Sequence, residues 1–181
     1  MKKVNNRKGI VFWITGLSGS GKTTLGNMIK KDIRKIYGPT LMISGDNIRQ
    51  IFGLKGYNYE DRLKILEKYS KFVKYITNQK INIIFAVVGM VDATRKWNRK
   101  NINNYLEIYI KTDINIIQKR GYREIYDNYD KGLINNVVGK DIDFEEPKQS
   151  DLIIDNNYSK NLFLKDCRNA VKTISRKFNV I

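Results

Sequence analysis

Short apolar runs alternate with longer amphipathic stretches along the whole chain. The apolar runs are rich in β-branched residues, and the run INIIFAVV at 81–88 is almost continuous, which is typical of strands buried on both faces of a sheet. The amphipathic stretches place apolar residues three or four positions apart, which predicts helices packed against that sheet. We predict strands at 10–15, 40–44, 81–88, 105–110 and 152–154, and helices at 22–37, 60–77, 93–101, 114–119 and 161–177.

Residues suited to helix ends fall where these helices should start and stop. Gly38 and Pro39 follow the first predicted helix and would end it, while Asn58 is suited to cap the start of the second. Strand and helix alternate in the order typical of a parallel sheet with helices on both faces. We therefore predict one α/β domain over residues 1–181, with a five-stranded parallel sheet and a ligand site at the carboxyl ends of its strands.

The clearest motif follows the first predicted strand. The segment GLSGSGKT at 16–23 fills every fixed position of the pattern GxxxxGK[ST] and opens the first helix. Its glycines let backbone N–H groups surround phosphate oxygens, while Lys22 would reach the β- and γ-phosphates and Thr23 would ligate Mg²⁺. A plain Gly/Ser turn is the alternative, but such a turn does not require all these positions to be filled. The motif predicts a P-loop NTPase-type fold that binds a nucleoside triphosphate and Mg²⁺.

Asp46 lies just after the second predicted strand. An aspartate before a helix is commonly its N-cap, and this interpretation stands beside a catalytic one. In a doubly wound sheet the end of the second strand can lie beside the P-loop, where a carboxylate can hold a Mg²⁺-bound water and accept a proton from an attacking hydroxyl. The chain contains no histidine, which excludes His-based triads and HExxH metal sites. Asp46 is therefore our leading candidate for a catalytic base.

Charge and cysteine content narrow the classes of partner. The 181 residues carry 34 Lys and Arg against 18 Asp and Glu, a formal charge of +16. Because the positive residues are scattered among Asn and Ile, we interpret them as solvated surface and expect neither a nucleic-acid nor a membrane partner. The single cysteine, Cys167, cannot form an internal disulfide and falls on a predicted helix core. The first residues also lack the apolar run of a signal peptide, and we expect a cytoplasmic protein.

Four segments resemble the adenylylsulfate kinase family in order and spacing: GLSGSGKTTL, GDNIRQIFG, GYNYEDR and GKDIDFEEP. The similarity covers about residues 9–155. It implies a kinase that transfers the γ-phosphoryl of ATP to the ribose 3′-hydroxyl of adenylyl sulfate. It also implies a lid over about residues 120–147 that closes on the bound ligands.

The resemblance also implies roles for individual residues. On the acceptor side Asp46 would activate or orient the hydroxyl, while Arg49 and Arg62 would hold the phosphate-containing group of the substrate. Tyr57 stands where the family has a phenylalanine that stacks on the substrate base. On the donor side, the residues implied to bind ATP and Mg²⁺ are Gly16, Ser18, Gly19, Ser20, Gly21, Lys22, Thr23 and Thr24, with Arg120 near the ATP base.

Departures from the family concentrate on the acceptor side. Ile65 replaces an asparagine, Arg123 replaces a lid lysine, and Val137 replaces the aromatic residue that closes the second side of the base sandwich. A base held between Tyr57 and a valine loses one stacking contact, worth about 1–3 kcal/mol. We therefore expect a different nucleotide acceptor. One variant of the family phosphorylates cytidine diphosphoramidate on the route to phosphoramidate-decorated capsule, and a smaller pyrimidine suits this pocket, with Arg123 joining the clamp on its pyrophosphate-like group.

Other functions and side-chain roles stay open at this point. The rival functions are an adenylylsulfate kinase of sulfate assimilation, a kinase of another small metabolite, and a basic nucleic-acid-binding P-loop module. Arg95 and Arg99 either contact substrate phosphates or lie on a solvated helix face. We interpret Tyr69 as helix core, together with Phe72, Val73 and Ile76. Tyr122, Tyr126 and Tyr129 form either a mobile face of the lid or local packing. We expect a homodimer.

Overall fold

The computed structural model describes residues 8–121 and 124–178. At its centre is a five-stranded sheet in the order β2-β3-β1-β4-β5, in which every neighbouring pair is parallel. The sheet confirms the predicted fold class. The strands are β1 (Val11–Thr15), β2 (Thr40–Ser44), β3 (Asn82–Ala86), β4 (Tyr105–Lys111) and β5 (Leu152–Asp155). The third strand is shorter than predicted, because its neighbours pair with it only as far as Ala86.

Helices follow each strand within the described residues. They are α1 (Lys22–Tyr37), α2 (Gly45–Phe52), α3 (Tyr59–Asn78), α4 (Asp92–Asn101), α5 (Ile114–Lys119), α6 (Glu124–Asp130) and α7 (Lys160–Phe178). The predicted cap of α3 is confirmed, since the side chain of Asn58 accepts a hydrogen bond from the Asp61 N–H at 2.9 Å. None of the helices in the described part of the chain is both long and apolar enough to span a membrane.

Two short helices, α2 and α6, were not predicted. Helix α2 has apolar residues at helical spacing, Ile48, Ile51 and Phe52, but it is only eight residues long, and Ile51 and Phe52 are exposed while Ile48 is buried. Helix α6 is mostly polar, and Tyr126 is its one buried residue. Neither helix is long enough to present a sustained apolar face in the sequence, since α2 has eight residues and α6 has seven.

The two faces of the sheet are covered by different helices. Helices α1 and α7 pack on one face, where Ile29, Phe163 and Cys167 join the sheet residues in one buried cluster. Helix α3 packs on the other face through Tyr69 and Val73. The prediction that Cys167 is a core residue is confirmed, since its side chain is fully buried. This arrangement leaves the carboxyl edge of the sheet open for a site.

Candidate active site

A cavity of about 780 Å³ opens at the carboxyl edge of the sheet. It lies among the ends of β1, β2, β3 and β5, as expected for a doubly wound sheet. The structure brings nearly all the sequence-predicted site residues together there. Those that line the cavity are Ser18, Gly19, Gly21, Lys22, Thr23, Thr24, Asp46, Arg49, Tyr57, Arg62, Ile65, Arg120 and Val137.

The P-loop connects β1 to α1 and has the backbone shape that a phosphate cradle needs. Gly16 and Gly21 have φ angles of 148° and 103°, which side-chain-bearing residues rarely adopt. A Cβ on Gly16 would lie 2.5 Å from the Ile110 carbonyl oxygen, and one on Gly21 would lie 2.7 Å from the Phe163 ring. Both positions therefore require glycine. Gly16 and Ser20 shape this loop without lining the cavity.

Lys22 lies at the first position of α1, against the loop. Its Nζ atom donates a 2.6 Å hydrogen bond to the Leu17 carbonyl oxygen. Thr23, on the next position of the helix, is exposed to the cavity. Asn156, which also lines the cavity, holds the loop, since its Nδ2 donates to the Ser20 carbonyl oxygen at 2.9 Å. Asn156 was not predicted, although its position directly after β5 follows the strand-end rule that identified the other residues.

Asp46 is exposed in the first turn of α2, immediately beyond β2, and lines the cavity. The N-cap interpretation of Asp46 is wrong, because Ser44 caps this helix. The Ser44 side chain accepts from the Asn47 N–H at 3.1 Å, and the Asn47 side chain accepts from the Ser44 N–H at 3.1 Å. β3 lies between β2 and β1, so Asp46 and the P-loop face the same cavity from strands that are separated by one other strand.

Arg49 and Arg62 both pack on the ring of Tyr57. Their guanidinium carbons lie 4.6 and 5.4 Å from the centre of the ring, within the range of a cation–π interaction. Arg49 Nη1 also donates to the Gly56 carbonyl oxygen, at 3.0 Å. Burial and the neighbouring charge of Arg49 lower the pKa of Arg62, and an anion bound between the two arginines would act in the opposite direction by favouring the charged form. The exposed ring of Tyr57 therefore organises two positive charges at the cavity.

Aliphatic side chains from α3, from the lid and from the loop after β3 also line the cavity. Ile65 of α3 and Val137 of the lid are 5% and 2% exposed and line the cavity. Met90, from the loop after β3, lines it as well. Val137 also belongs to a small buried cluster with Ile117 and Tyr126. The lid thus presents an aliphatic side chain to the cavity and no aromatic ring at this position.

Arg120 is half-buried where the lid begins, and its Nη2 donates to the Tyr158 carbonyl oxygen at 2.7 Å. Lys160 and Phe163 of α7 line the cavity and were not predicted. Their sequence pattern is that of an ordinary amphipathic helix, so only the packing of α7 against the P-loop identifies them. Arg123, predicted to bind substrate, lies outside the described residues, as does Tyr122.

Neither interpretation of Arg95 and Arg99 is right. Arg95 is 2% exposed, and its guanidinium donates to the carbonyl oxygens of Gly89 and Glu145, each at 2.6 Å. Arg99 is partly exposed and pairs with Asp151 at 3.0 Å. Arg95 thus joins the loop after β3 to the end of the lid, while Arg99 joins α4 to the segment before β5, and neither side chain lines the cavity.

The aromatic residues of the lid are locally packed within the described part of the chain. Tyr126 is fully buried, and its hydroxyl donates to the Ser18 carbonyl oxygen at 3.2 Å. Tyr129 packs beside it in the cluster with Ile117. The lid is therefore attached to the P-loop through Tyr126.

Tyr69 is both a core residue and a cavity residue. It is 3% exposed, as predicted for helix core, yet it also lines the cavity. Its hydroxyl donates to the Gly45 carbonyl oxygen at 2.9 Å. The one sequence signal for a role beyond packing is the hydroxyl group, since a leucine would fill a core position on this helix without one.

A parallel sheet with a P-loop after its first strand, beside a cavity carrying a carboxylate and two arginines, defines a P-loop phosphotransferase. The sequence model of the adenylylsulphate kinase family matches residues 8–155. The chain therefore belongs to the adenylylsulphate kinase family, and it is a kinase. This membership favours an enzyme over the nucleic-acid-binding module considered from charge alone.

The names of individual relatives give two different substrates. The chain is 35% identical over 152 residues to cytidine diphosphoramidate kinase from Campylobacter jejuni, covering 84% of this chain and 89% of that protein. It is 31% identical over 157 residues to adenylyl-sulfate kinase from Oceanobacillus iheyensis, covering 84% and 78%. The fold matches that of Mycobacterium tuberculosis APS kinase CysC, solved with AMPPNP and APS, with a TM-score of 0.81, 21% identity and coverage of 93% and 98%.

Proposed function

We propose that this kinase transfers the γ-phosphoryl of ATP to the ribose 3′-hydroxyl of a small cytidine nucleotide, cytidine diphosphoramidate. The observation that carries the proposal is the aliphatic wall formed by Ile65 and Val137 beside Tyr57. With Tyr57 as the stacking ring on one side of the base and Val137 in place of a ring on the other, the pocket would gain less from a large purine, since each base stack is worth about 1–3 kcal/mol. The 35% identity to a cytidine diphosphoramidate kinase supports the same acceptor.

The donor side fits ATP and Mg²⁺. Gly16 and Gly21 have positive φ angles, and a Cβ at either would clash with the Ile110 carbonyl oxygen or the Phe163 ring, so these glycines let the P-loop adopt a shape in which backbone N–H groups can surround phosphate oxygens. Lys22 would neutralise charge on the β- and γ-phosphates, and the Thr23 hydroxyl would be a ligand of Mg²⁺. Mg²⁺ supplies charge neutralisation at the phosphates when bound. Arg120, half-buried near α7, would contact the ATP base.

The reaction requires the protein to accept one proton, the proton of the acceptor 3′-hydroxyl. The acceptor 3′-oxygen forms a bond to the γ-phosphorus, the bond from that phosphorus to the bridging oxygen breaks, and ADP leaves. Asp46 would orient the hydroxyl and accept its proton, as an exposed carboxylate at the cavity with no histidine in the chain to compete. Arg49 and Arg62, organised by Tyr57, would bind the diphosphate-like part of the acceptor.

Acceptor-dependent ADP release tests the proposal. The purified protein with ATP and Mg²⁺ is offered cytidine diphosphoramidate, adenylyl sulfate, CMP or AMP, and the phosphorylated product is located by phosphorus NMR. We expect cytidine diphosphoramidate to give a kcat/KM at least about tenfold above that of adenylyl sulfate, the equivalent of one lost stack. A preference for adenylyl sulfate would disprove the proposed acceptor.

Adenylyl sulfate is the second candidate acceptor. The retained Asp46, Arg49 and Arg62 line the cavity and would serve either nucleotide, and relatives at 31% identity carry that activity in their name. Turnover of neither nucleotide would indicate a kinase of another small metabolite. The expected homodimer stays a prediction, which light scattering of the purified protein tests.

A further inference from the structure

The turn at residues 136–142 of the lid brings backbone and side chains to the cavity wall. Val137 and Val138 both line the cavity and are buried. The residue before them, Asn136, has a φ angle of 61°, in the left-handed region that non-glycine residues seldom occupy. Such a conformation persists only where surrounding contacts hold it. The side chain that holds it is Asp141.

The Asp141 carboxylate closes this turn with both of its oxygens. Oδ2 accepts from the Asn136 N–H at 2.7 Å, and Oδ1 accepts from the Val137 N–H at 2.6 Å. The Val137 carbonyl oxygen accepts in turn from the Lys140 N–H at 3.0 Å and the Ile142 N–H at 3.2 Å. Burial acts to raise the pKa of Asp141, but the backbone N–H bonds and Arg62 lower it, so the carboxylate stays ionised and its hydrogen bonds are charge-assisted.

The same peptide of the lid is bonded to the acceptor side of the cavity. The Asn136 carbonyl oxygen accepts from Arg62 Nη2 at 2.8 Å. Arg62 Nε also donates to the Tyr57 carbonyl oxygen, at 2.6 Å. Asp141 therefore determines the position of Val137 in the cavity wall. It also determines the position of the Asn136 carbonyl oxygen that accepts the hydrogen bond from Arg62.

We propose that Asp141 is a positioning residue for the acceptor nucleotide, which it reaches through Val137 and Arg62. It is exposed and does not line the cavity, so it acts through these neighbours. The proposal rests on the proposed function in one respect, that the acceptor binds among Tyr57, Arg62 and Val137. It predicts that loss of the carboxylate weakens acceptor binding and leaves ATP binding intact.

The test compares Asp141→Asn and Asp141→Ala with a control on the same lid, Asp130→Asn. Asp130 is exposed, does not line the cavity and pairs with the side chain of Lys140 at 2.8 Å, so its substitution removes the same charge and leaves both hydrogen bonds of Asp141 in place. The KM for acceptor, the KM for ATP and kcat are measured with whichever of cytidine diphosphoramidate and adenylyl sulfate the wild type uses faster. The Asn variant keeps one acceptor oxygen and protects the test against misfolding of the Ala variant.

We expect the acceptor KM to rise about tenfold in Asp141→Asn, the equivalent of one lost charge-assisted hydrogen bond, and further in Asp141→Ala. In both Asp141 variants we expect the KM for ATP to stay within about twofold of wild type and the unfolding midpoint to stay within a few degrees of it. In Asp130→Asn we expect every measured value, including the acceptor KM, to stay within the same limits. An unchanged acceptor KM, or an equal rise in the KM for ATP, overturns the proposal.

Backbone hydrogen exchange separates this proposal from the proposed function. In Asp141→Ala without ligand, the amides of Asn136 and Val137 should exchange faster than in wild type or Asp130→Asn. If the wild type turns over neither nucleotide, the proposed acceptor fails while faster exchange still supports the role of Asp141 in the cavity wall. Unchanged exchange at both amides overturns that role whatever the acceptor.

Discussion

The hydroxyl of Tyr69 donates a 2.9 Å hydrogen bond to the carbonyl oxygen of Gly45, in the protein interior. Gly45 begins α2 immediately before Asp46, so helix α3 determines where the candidate base stands. Burial raises the pKa of Tyr69 to about 12, which keeps the hydroxyl protonated and able to donate over the whole physiological range.

Replacing Tyr69 with phenylalanine removes this donor and leaves the ring. We expect the free energy of unfolding to fall by about 1–3 kcal/mol, because the Gly45 carbonyl loses a buried partner. We also expect kcat to fall as Asp46 loses its fixed position. Tyr75→Phe, on the exposed side of the same helix, should change neither quantity. Urea unfolding and steady-state kinetics measure both, and equal behaviour of the two variants would remove Tyr69 from this role.

Asp46→Asn tests the candidate base directly. The amide cannot accept the proton of the acceptor hydroxyl, so we expect kcat to fall by about 10²–10⁴-fold while ATP binding is retained. Calorimetry with a non-hydrolysable ATP analogue and a coupled kinase assay measure the two effects. Glu67→Gln is the matched control, because Glu67 is exposed on α3 and pairs only with Lys71 among the described residues. An undiminished kcat in Asp46→Asn would exclude Asp46 from proton transfer.

Lys22→Ala should weaken ATP binding and turnover together. The ammonium group lies on the P-loop at the Leu17 carbonyl oxygen, and its loss removes a positive charge from both the bound ATP and the transition state. We expect kcat to fall by about 10²–10³-fold, as for other transition-state donors. Lys96→Ala, which removes an exposed lysine on α4, should match wild type. Normal ATP affinity in Lys22→Ala would contradict the donor-side assignment.

Val137→Phe tests the basis of acceptor choice. A ring at this position adds a surface for base stacking, so we expect the ratio of kcat/KM for adenylyl sulfate to that for cytidine diphosphoramidate to rise about tenfold. The ratio is the right quantity, because a larger side chain beside Tyr126 also costs packing energy with either acceptor. Val137→Ile adds volume without a ring and should leave the ratio unchanged. Equal ratios in both variants would refute the role of Val137.

The buried thiol of Cys167 makes the free energy of unfolding fall as the pH rises in the alkaline range. Burial raises the pKa of its thiol from 9.0 to about 12 in the folded protein. The unfolded chain therefore loses this proton first, and the contribution of Cys167 to stability is complete below pH 9.0 and is lost as the pH rises towards 12. Between these values the free energy of unfolding should fall more steeply in wild type than in Cys167→Ala. Parallel pH profiles from urea unfolding would contradict this.

Much of the architecture follows from local patterns in the sequence. The bounds of all five strands were predicted to within a few residues, since a β-branched run of four to eight residues between turns is typical of a buried strand. The P-loop was equally clear, because each glycine is required by backbone geometry. Helices α2 and α6 were missed, since they have eight and seven residues and are too short to show a sustained periodic pattern.

Individual side-chain contacts decided the remaining features of the site. The sequence identified Asp46 but left open whether it caps a helix, and only the Ser44–Asn47 pair settled that question. Arg95 reads as a surface residue four positions from Arg99, yet it is buried because the loop after β3 and the end of the lid both turn their carbonyl oxygens towards it.

Residue type and spacing therefore determined the fold class, the family resemblance and the chemistry of the P-loop, because each depends on neighbours along the chain. The partners of Tyr69, Arg62 and Asp141 are 24, 74 and 5 positions away, and no local pattern distinguishes the bonded residue from its neighbours. Whether a side chain lines the cavity or supports one that does depends on how strands and lid close around it, and that was decided by the tertiary structure alone.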